Sequence, residues 1–306
     1  MEPSAAAYRA WGTAFALVGV LAFSFRPILI KLAYGVPTDS GHPVSPVTLL
    51  FLRMVLSLPF FAVIAFLLKG REPRLTRRDW AAVAGLGFLG YYLASFLDFL
   101  GLQYVGAGIG RLILFLYPTL VLLLSFLFLH KAPSRRELIA FVICYSGVAL
   151  VLSNRFGGGK EGTLFLLGVL LVFGSALCYA VYLVAGSQLV KRIGSMRFTA
   201  YTMIISTLPA VLQFFVVETP SSLLLPGAVW GYAIVMATFS TVFPVFLQAE
   251  ALKRIGASRF ALIGAVGPVS TVLISALGLE EPFTSLQAAG GLLVIFGVLL
   301  VSLKRS

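Results

Sequence analysis

The sequence predicts an all-α integral membrane protein: ten transmembrane helices in two inverted five-helix repeats, with both termini in the cytoplasm. Three observations lead there. The 306 residues have a mean hydropathy of +1.01 and only 11% are charged, against about 25% in a soluble domain, so the surface must face lipid. Lys and Arg concentrate in alternate loops. The chain also matches itself when shifted by 150 residues.

A spanning helix needs about 20 mostly apolar residues, and ten segments meet this in order. The first, 11–34, exceeds the roughly 7–15 apolar residues of a signal-peptide core and is read as a retained helix. Gly35-Val36-Pro37 ends it. The second, 45–68, stops at the charged run from Lys69 to Asp79. The third and fourth, 79–102 and 106–129, meet at a tight turn near Tyr104. The fifth, 134–153, follows the basic stretch Lys131 to Arg136. A glycine-rich stretch, 154–162, is expected as a flexible external linker. The sixth and seventh are 163–188 and 197–217, the latter ended by Thr219-Pro220. The eighth, ninth and tenth are 226–252, 256–279 and 284–303.

Loop charges give the orientation. Lys69, Arg71, Arg74, Arg77 and Arg78 fall in one loop; Lys131, Arg135 and Arg136 in the next on that side. Lys191, Arg192, Arg197, then Lys253, Arg254, Arg259 follow, with Arg9 and Lys304-Arg305 at the ends. The opposite loops hold only Arg155 and Lys160. Cytoplasmic loops carry the basic excess, so both termini are placed inside. The net charge of +12 is thereby a topology signal, not a nucleic-acid footprint.

At the 150-residue shift, Gly106, Ala107, Pro118, Gly147 and Val148 meet identical residues, and Pro59 meets Pro209. The repeats are then 1–153 and 163–306. Five helices is an odd number, so the second repeat enters from the opposite face. Such inverted repeats characterise transporters that hold substrate near the midplane.

Gly106-Ala107 … Pro118 and Gly256-Ala257 … Pro268, within two five-helix halves joined by short loops, resemble the drug/metabolite transporter superfamily in its ten-helix EamA type. Within it the chain is most similar to bacterial aromatic amino-acid exporters. The resemblance spans residues 11–303 and implies a substrate cavity between the halves, with the fifth and tenth helices peripheral. It implies a multi-pass protein of the bacterial inner membrane.

Charges inside the apolar segments mark the candidate site. Arg26, Arg53, Asp98 and Arg111 each lie where a charge costs roughly 2.5–3.5 kcal/mol. At 1.5 Å per residue, all four fall roughly 10–12 Å below the outer helix ends, in one layer. An ion-pair network that only fastens helices is one reading. The other is that an arginine faces the substrate path, where excess positive charge suits a carboxylate or phosphate. Asp98 is expected to pair with Arg111 across the third hairpin, leaving Arg26 or Arg53 freer. Tyr91, Ser95 and Asp98 share a helix face, as do Tyr179 and Tyr182; they are cavity candidates or ordinary packing. Ser240 and Gln248 on the eighth helix add hydrogen-bonding groups. Pro59, Pro118, Pro209, Pro244 and Pro268 are candidate hinges or static kinks.

Other motifs fail their context. Gly85-Leu-Gly-Phe-Leu-Gly90 has the GxGxxG spacing but lies within a spanning segment, without the strand a dinucleotide site needs. Gly157-Gly-Gly-Lys160 lacks the Ser or Thr of a phosphate loop. Cys144 and Cys178 lie in apolar segments and His42 and His130 in loops, so no disulfide framework or metal site is expected, and no cofactor. Without a nucleophile constellation an enzyme is not expected. The expected function is secondary export of small amphipathic metabolites, chiefly amino acids including aromatic ones. Organic phosphate or nucleotide-sugar exchange, lipophilic-cation export, and a non-transporting receptor or assembly subunit are the alternatives. The expected partners are a small-molecule substrate and the lipid bilayer.

Overall fold

The fold, a computed structural model, is described for residues 5–38, 41–70, 74–129, 134–153, 160–264, 266–279 and 284–302. Arg71, His130, Lys131, Arg155, the 154–159 part of the expected linker, and Lys304-Arg305 lie outside these residues.

All regular structure among the described residues is helical. The first span is two helices, α1 (Ala5–Ser24) and α2 (Arg26–Gly35), broken at Phe25 just before Pro27. Pro27 has no amide hydrogen to continue the first helix but fits the first turn of the second. Ser45 caps α3 (Pro46–Leu67), accepting from the Val47 and Thr48 amides. A capping box between Thr76 and Asp79 opens α4 (Arg77–Gly87), which passes through a π-helical segment, Phe88–Leu93, into α5 (Ala94–Gly101). The fourth span is again broken: α6 (Ala107–Leu114) and α7 (Tyr117–Leu129) meet at Phe115-Leu116, just before Pro118. Then follow α8 (Arg135–Ser153), α9 (Lys160–Ile193) and α10 (Ser195–Val217). Helix α11 (Gly227–Ala237) runs through a second π-helical segment, Thr238–Val242, into α12 (Phe243–Gly264). The last two are α13 (Val266–Gly278) and α14 (Ser285–Ser302).

Among the described residues, eight spans are long and apolar enough to cross a membrane, and two shorter apolar helices, Val266–Gly278 and Ser285–Leu300, follow. Two boundaries differ from expectation: α9 begins at Lys160, inside the stretch expected as a linker, and the other lies in α12. The sequence places a break at 253–255, yet α12 is helical through to Gly264. The chain nonetheless reverses inside it. A Cβ on Gly12 would touch Arg254 and Ile255, whereas Phe260 and Ile263 pack near Phe15 and Ala16 and Gly264 lines a cavity with Val20 and Phe23.

The pairs α8–α14, α3–α10 and α6–α13 run antiparallel. Gly147 and Gly290 are in backbone contact between α8 and α14, and a Cβ on Gly297 would fall 2.5 Å from the Cys144 sulfur. Phe51 of α3 stacks on Phe214 of α10 with centroids 4.3 Å apart. Gly108 faces Ser275 between α6 and α13. Small residues let the backbones approach this closely, as membrane helices without a hydrophobic drive between them require. Gly87 and Gly90 serve the same end. Their added Cβ atoms would fall 2.8 Å from the Thr202 carbonyl and 2.4 Å from Tyr182, so packing accounts for these two glycines, while Gly85 faces open space. Pro59 and Pro209 sit inside α3 and α10.

Candidate functional site

The helix breaks and π-helical segments converge on one cavity. Backbone groups freed from a regular ladder inside a membrane must be satisfied by protein or line a cavity. At the first break Thr271 donates to the Ser24 carbonyl at 3.0 Å, and Ser24 to the Gly267 carbonyl at 3.1 Å. The cavity encloses about 1140 Å³ of space free of protein atoms, its open mouth included.

Three arginines line it. Arg26 opens α2 and donates to Asp98 of α5 at 3.4 Å. Arg53 of α3 is 1% exposed and donates to Ser95 Oγ at 2.7 Å; its guanidinium lies 5.4 Å from the Phe99 ring centre. Arg111 stands in the last turn of α6, where the helix dipole favours a cation. Phe23 meets two of the three: the Arg26 and Arg111 guanidiniums lie 4.6 and 4.7 Å from its ring centre. The Nε of each arginine is buried without a hydrogen-bond acceptor.

The expected pairing of Asp98 with Arg111 is therefore corrected. Depth arithmetic placed both in one layer, but not their directions around the bundle. The break at Phe25 starts a new helix at Arg26, whose side chain reaches Asp98, while Arg111 lies on Phe23. Of the three cavity arginines, Arg53 and Arg111 have no carboxylate partner among the described residues.

Of the other sequence candidates, Tyr91, Ser95, Tyr179, Gln248 and Pro244 line the cavity. Asp98 stands behind Arg26. Tyr182 is 4% exposed and packs on Tyr91 and Phe198 instead. Ser240 is fully buried and donates to the Met236 carbonyl at 3.0 Å. Sequence reasoning missed Phe23, Tyr117 and Ser175, which also line the cavity. A hint was present for Tyr117, beside Pro118 and about two turns beyond Arg111. Tyr91, Tyr117 and Tyr179 form the aromatic wall; Tyr117 and Tyr179 meet edge to face at 5.2 Å.

Broken helices around a cavity that holds buried charges are the arrangement of a membrane transporter's substrate site. The comparisons agree: residues 10–153 and 166–303 match the EamA-like transporter family, and the chain belongs to that family. It is 32% identical over 91% of its length, and 88% of the other's, to a Bacillus subtilis protein described as uncharacterized transporter YcbK. A second B. subtilis protein, uncharacterized transporter YyaM, is 29% identical over 82% of each chain. A solved crystal structure has the same fold, with a TM-score of 0.65 at 16% identity, covering 96% of this chain and 97% of that one. The family and its relatives are transporters, not enzymes.

Proposed function

We propose that this transporter is a secondary exporter of amino acids, aromatic ones included, in the bacterial inner membrane. It works by alternating access through the central cavity. The observation that carries the reading is the cavity wall: buried arginines for a carboxylate beside three tyrosines for an apolar or aromatic body. Both features lie between two five-helix repeats of opposite orientation, 1–153 and 163–306, which make ten spans. Several correspondences at a 150-residue offset support the repeats. The π-helical segments begin at Phe88 and Thr238. Ser134 and Glu137 hydrogen-bond reciprocally as Thr284 and Gln287 do. The Cys144 thiol approaches the Val294 carbonyl at 3.6 Å. Helices related by the offset, α8 with α14 and α3 with α10, pack antiparallel, as a two-fold axis in the membrane plane requires.

In this reading the repeats rock about the charged layer, and Pro59, Pro118, Pro209, Pro244 and Pro268 mark where helices bend. Organic-phosphate exchange is the second reading, favoured by the same arginines. The test is counterflow with purified protein in liposomes. Labelled L-phenylalanine should accumulate against an internal pool of unlabelled L-phenylalanine or L-leucine. Accumulation driven only by sugar phosphates, or only by lipophilic cations, would overturn the amino-acid reading.

A further inference from the structure

The cavity has an imbalance of charge that bears on what part of a substrate it reads. Arg26 is answered by Asp98. Arg53 has a serine, a thioether and a phenyl ring as its neighbours. Arg111 has the face of Phe23. Three guanidiniums thus share one carboxylate, and that carboxylate stands behind the wall. Among the described residues that line the cavity there is no Asp or Glu. The nearby acid in α12, Glu250, is held by Arg254 at 3.4 Å.

Arginine does not lose its proton in proteins. Two cationic charges held inside a membrane without counter-charge are costly, and a bound anion removes that cost. Arg111 is the better placed of the two. It is 8% exposed, its Nε has no acceptor, and it lines the cavity wall next to Phe115 and Tyr117. Among the described lining residues an ammonium group meets only neutral side-chain acceptors: tyrosine, serine and threonine hydroxyls and Gln248. It also enters a field set by cations.

We infer that the site recognises its substrate by the carboxylate, through Arg111 with Arg53, and does not recognise the α-ammonium. Aromatic monocarboxylates without an amine, such as 2-oxo acids and arylpropionates, are then substrates alongside amino acids. This rests on the proposed transport of amphipathic carboxylates through the cavity, and goes beyond it by naming the anion as the determinant.

The experiment uses the whole protein in liposomes and in detergent. Counterflow of labelled L-phenylalanine is competed with phenylpyruvate, 3-phenylpropionate, phenylalanine amide and phenethylamine. The two acids should compete within a few fold of L-phenylalanine. The amide and the amine should be at least about tenfold weaker, because a charge-assisted contact is lost. Competition by the amide or amine equal to that of L-phenylalanine would overturn the inference, as would failure of both acids. Thermal shift of the detergent-solubilised protein reads binding without transport. The acids should raise Tm in the wild type and in Arg111→Lys, and should raise it far less in Arg111→Gln. An undiminished shift in a folded Arg111→Gln would remove Arg111 from the site. The two proposals fail separately. If phenylpyruvate exchanges and L-phenylalanine does not, the amino-acid reading falls and the carboxylate site stands. If L-phenylalanine exchanges while neither acid binds, the reverse holds.

Discussion

At the scale of single residues, the strongest statement concerns Asp98. It is 4% exposed and its ion-pair partner is Arg26. Removing one member of a buried pair strands the other, which costs about 3–5 kcal/mol. Asp98→Asn and Arg26→Gln should each lower the thermal stability of the detergent-solubilised protein. The double variant should recover part of the loss, so the cycle should report a coupling. The same cycle with Arg111→Gln should report a smaller coupling, since Arg111 has no hydrogen bond to Asp98 although their charges still act on one another. Near-additive behaviour of the Asp98–Arg26 cycle would remove that pair. The four charges were legible in the sequence because a charge inside an apolar run is rare and therefore informative. Their pairing was not. Depth follows from a count of residues, but azimuth depends on where a helix breaks, and the break at Phe25 had only Pro27 to announce it. Tyr117 and Phe23 were missed for a related reason: an aromatic residue in a lipid-facing sequence is common, so its presence says little until neighbouring helices place it.

At the scale of elements, the molecule separates regular helices from irregular ones. Four spans around the cavity are broken or π-helical, α1–α2, α4–α5, α6–α7 and α11–α12, while α3, α9 and α10, which also line it, are continuous. Helices α8 and α14, outside the cavity lining, are each continuous and pair tightly with each other through glycine. That pair should carry stability, not specificity. A Cβ on Gly147 would lie 2.6 Å from the Gly290 carbonyl oxygen, a backbone atom that cannot rotate away. Gly147→Ala should therefore cost about 1–3 kcal/mol, the usual range for overpacking. It should leave the order of competing substrates in counterflow unchanged. A reordered series would mean that the pair shapes the cavity after all. Apolar run length located eight of the expected spans to within a few residues among the described residues, since length and hydropathy set them. The helix breaks and π-helical segments were beyond it. They are a tertiary outcome, stable only where a neighbour such as Thr271 takes up the freed Ser24 carbonyl. In α12 the chain reverses beyond the expected break yet keeps helical backbone through to Gly264, since basic residues there do not by themselves end a helix.

At the scale of the whole molecule, the antiparallel packing places the basic residues at one end of the bundle. Asp79 at the start of α4 pairs with Arg192 near the end of α9. Arg254 of α12 stacks on Tyr8 and Phe15 of α1, and Arg197 stands in the first turn of α10. With Arg9, Arg77, Arg78, Arg135 and Arg136, these all fall at the end where α1 begins. The opposite end has Lys31 and Lys160, with Glu161 and Glu218. Basic residues close to the spans are retained on the cytoplasmic side during insertion, whereas acidic ones have little influence. The end where α1 begins should therefore be cytoplasmic, with the segment joining α10 to α11 outside. Arg78 and Ser221 are exposed at the two ends. In a background of Cys144→Ala and Cys178→Ser, single cysteines can be placed at each by Arg78→Cys and Ser221→Cys. A membrane-impermeant maleimide added to intact cells should label the Ser221 variant at once. It should label the Arg78 variant only after permeabilisation. The reversed pattern would invert the topology, and with it the direction in which a cavity-bound carboxylate is carried. The net charge of the loops would then be a poor guide to this bundle, because a single arginine variant does not change which end holds the remaining basic residues.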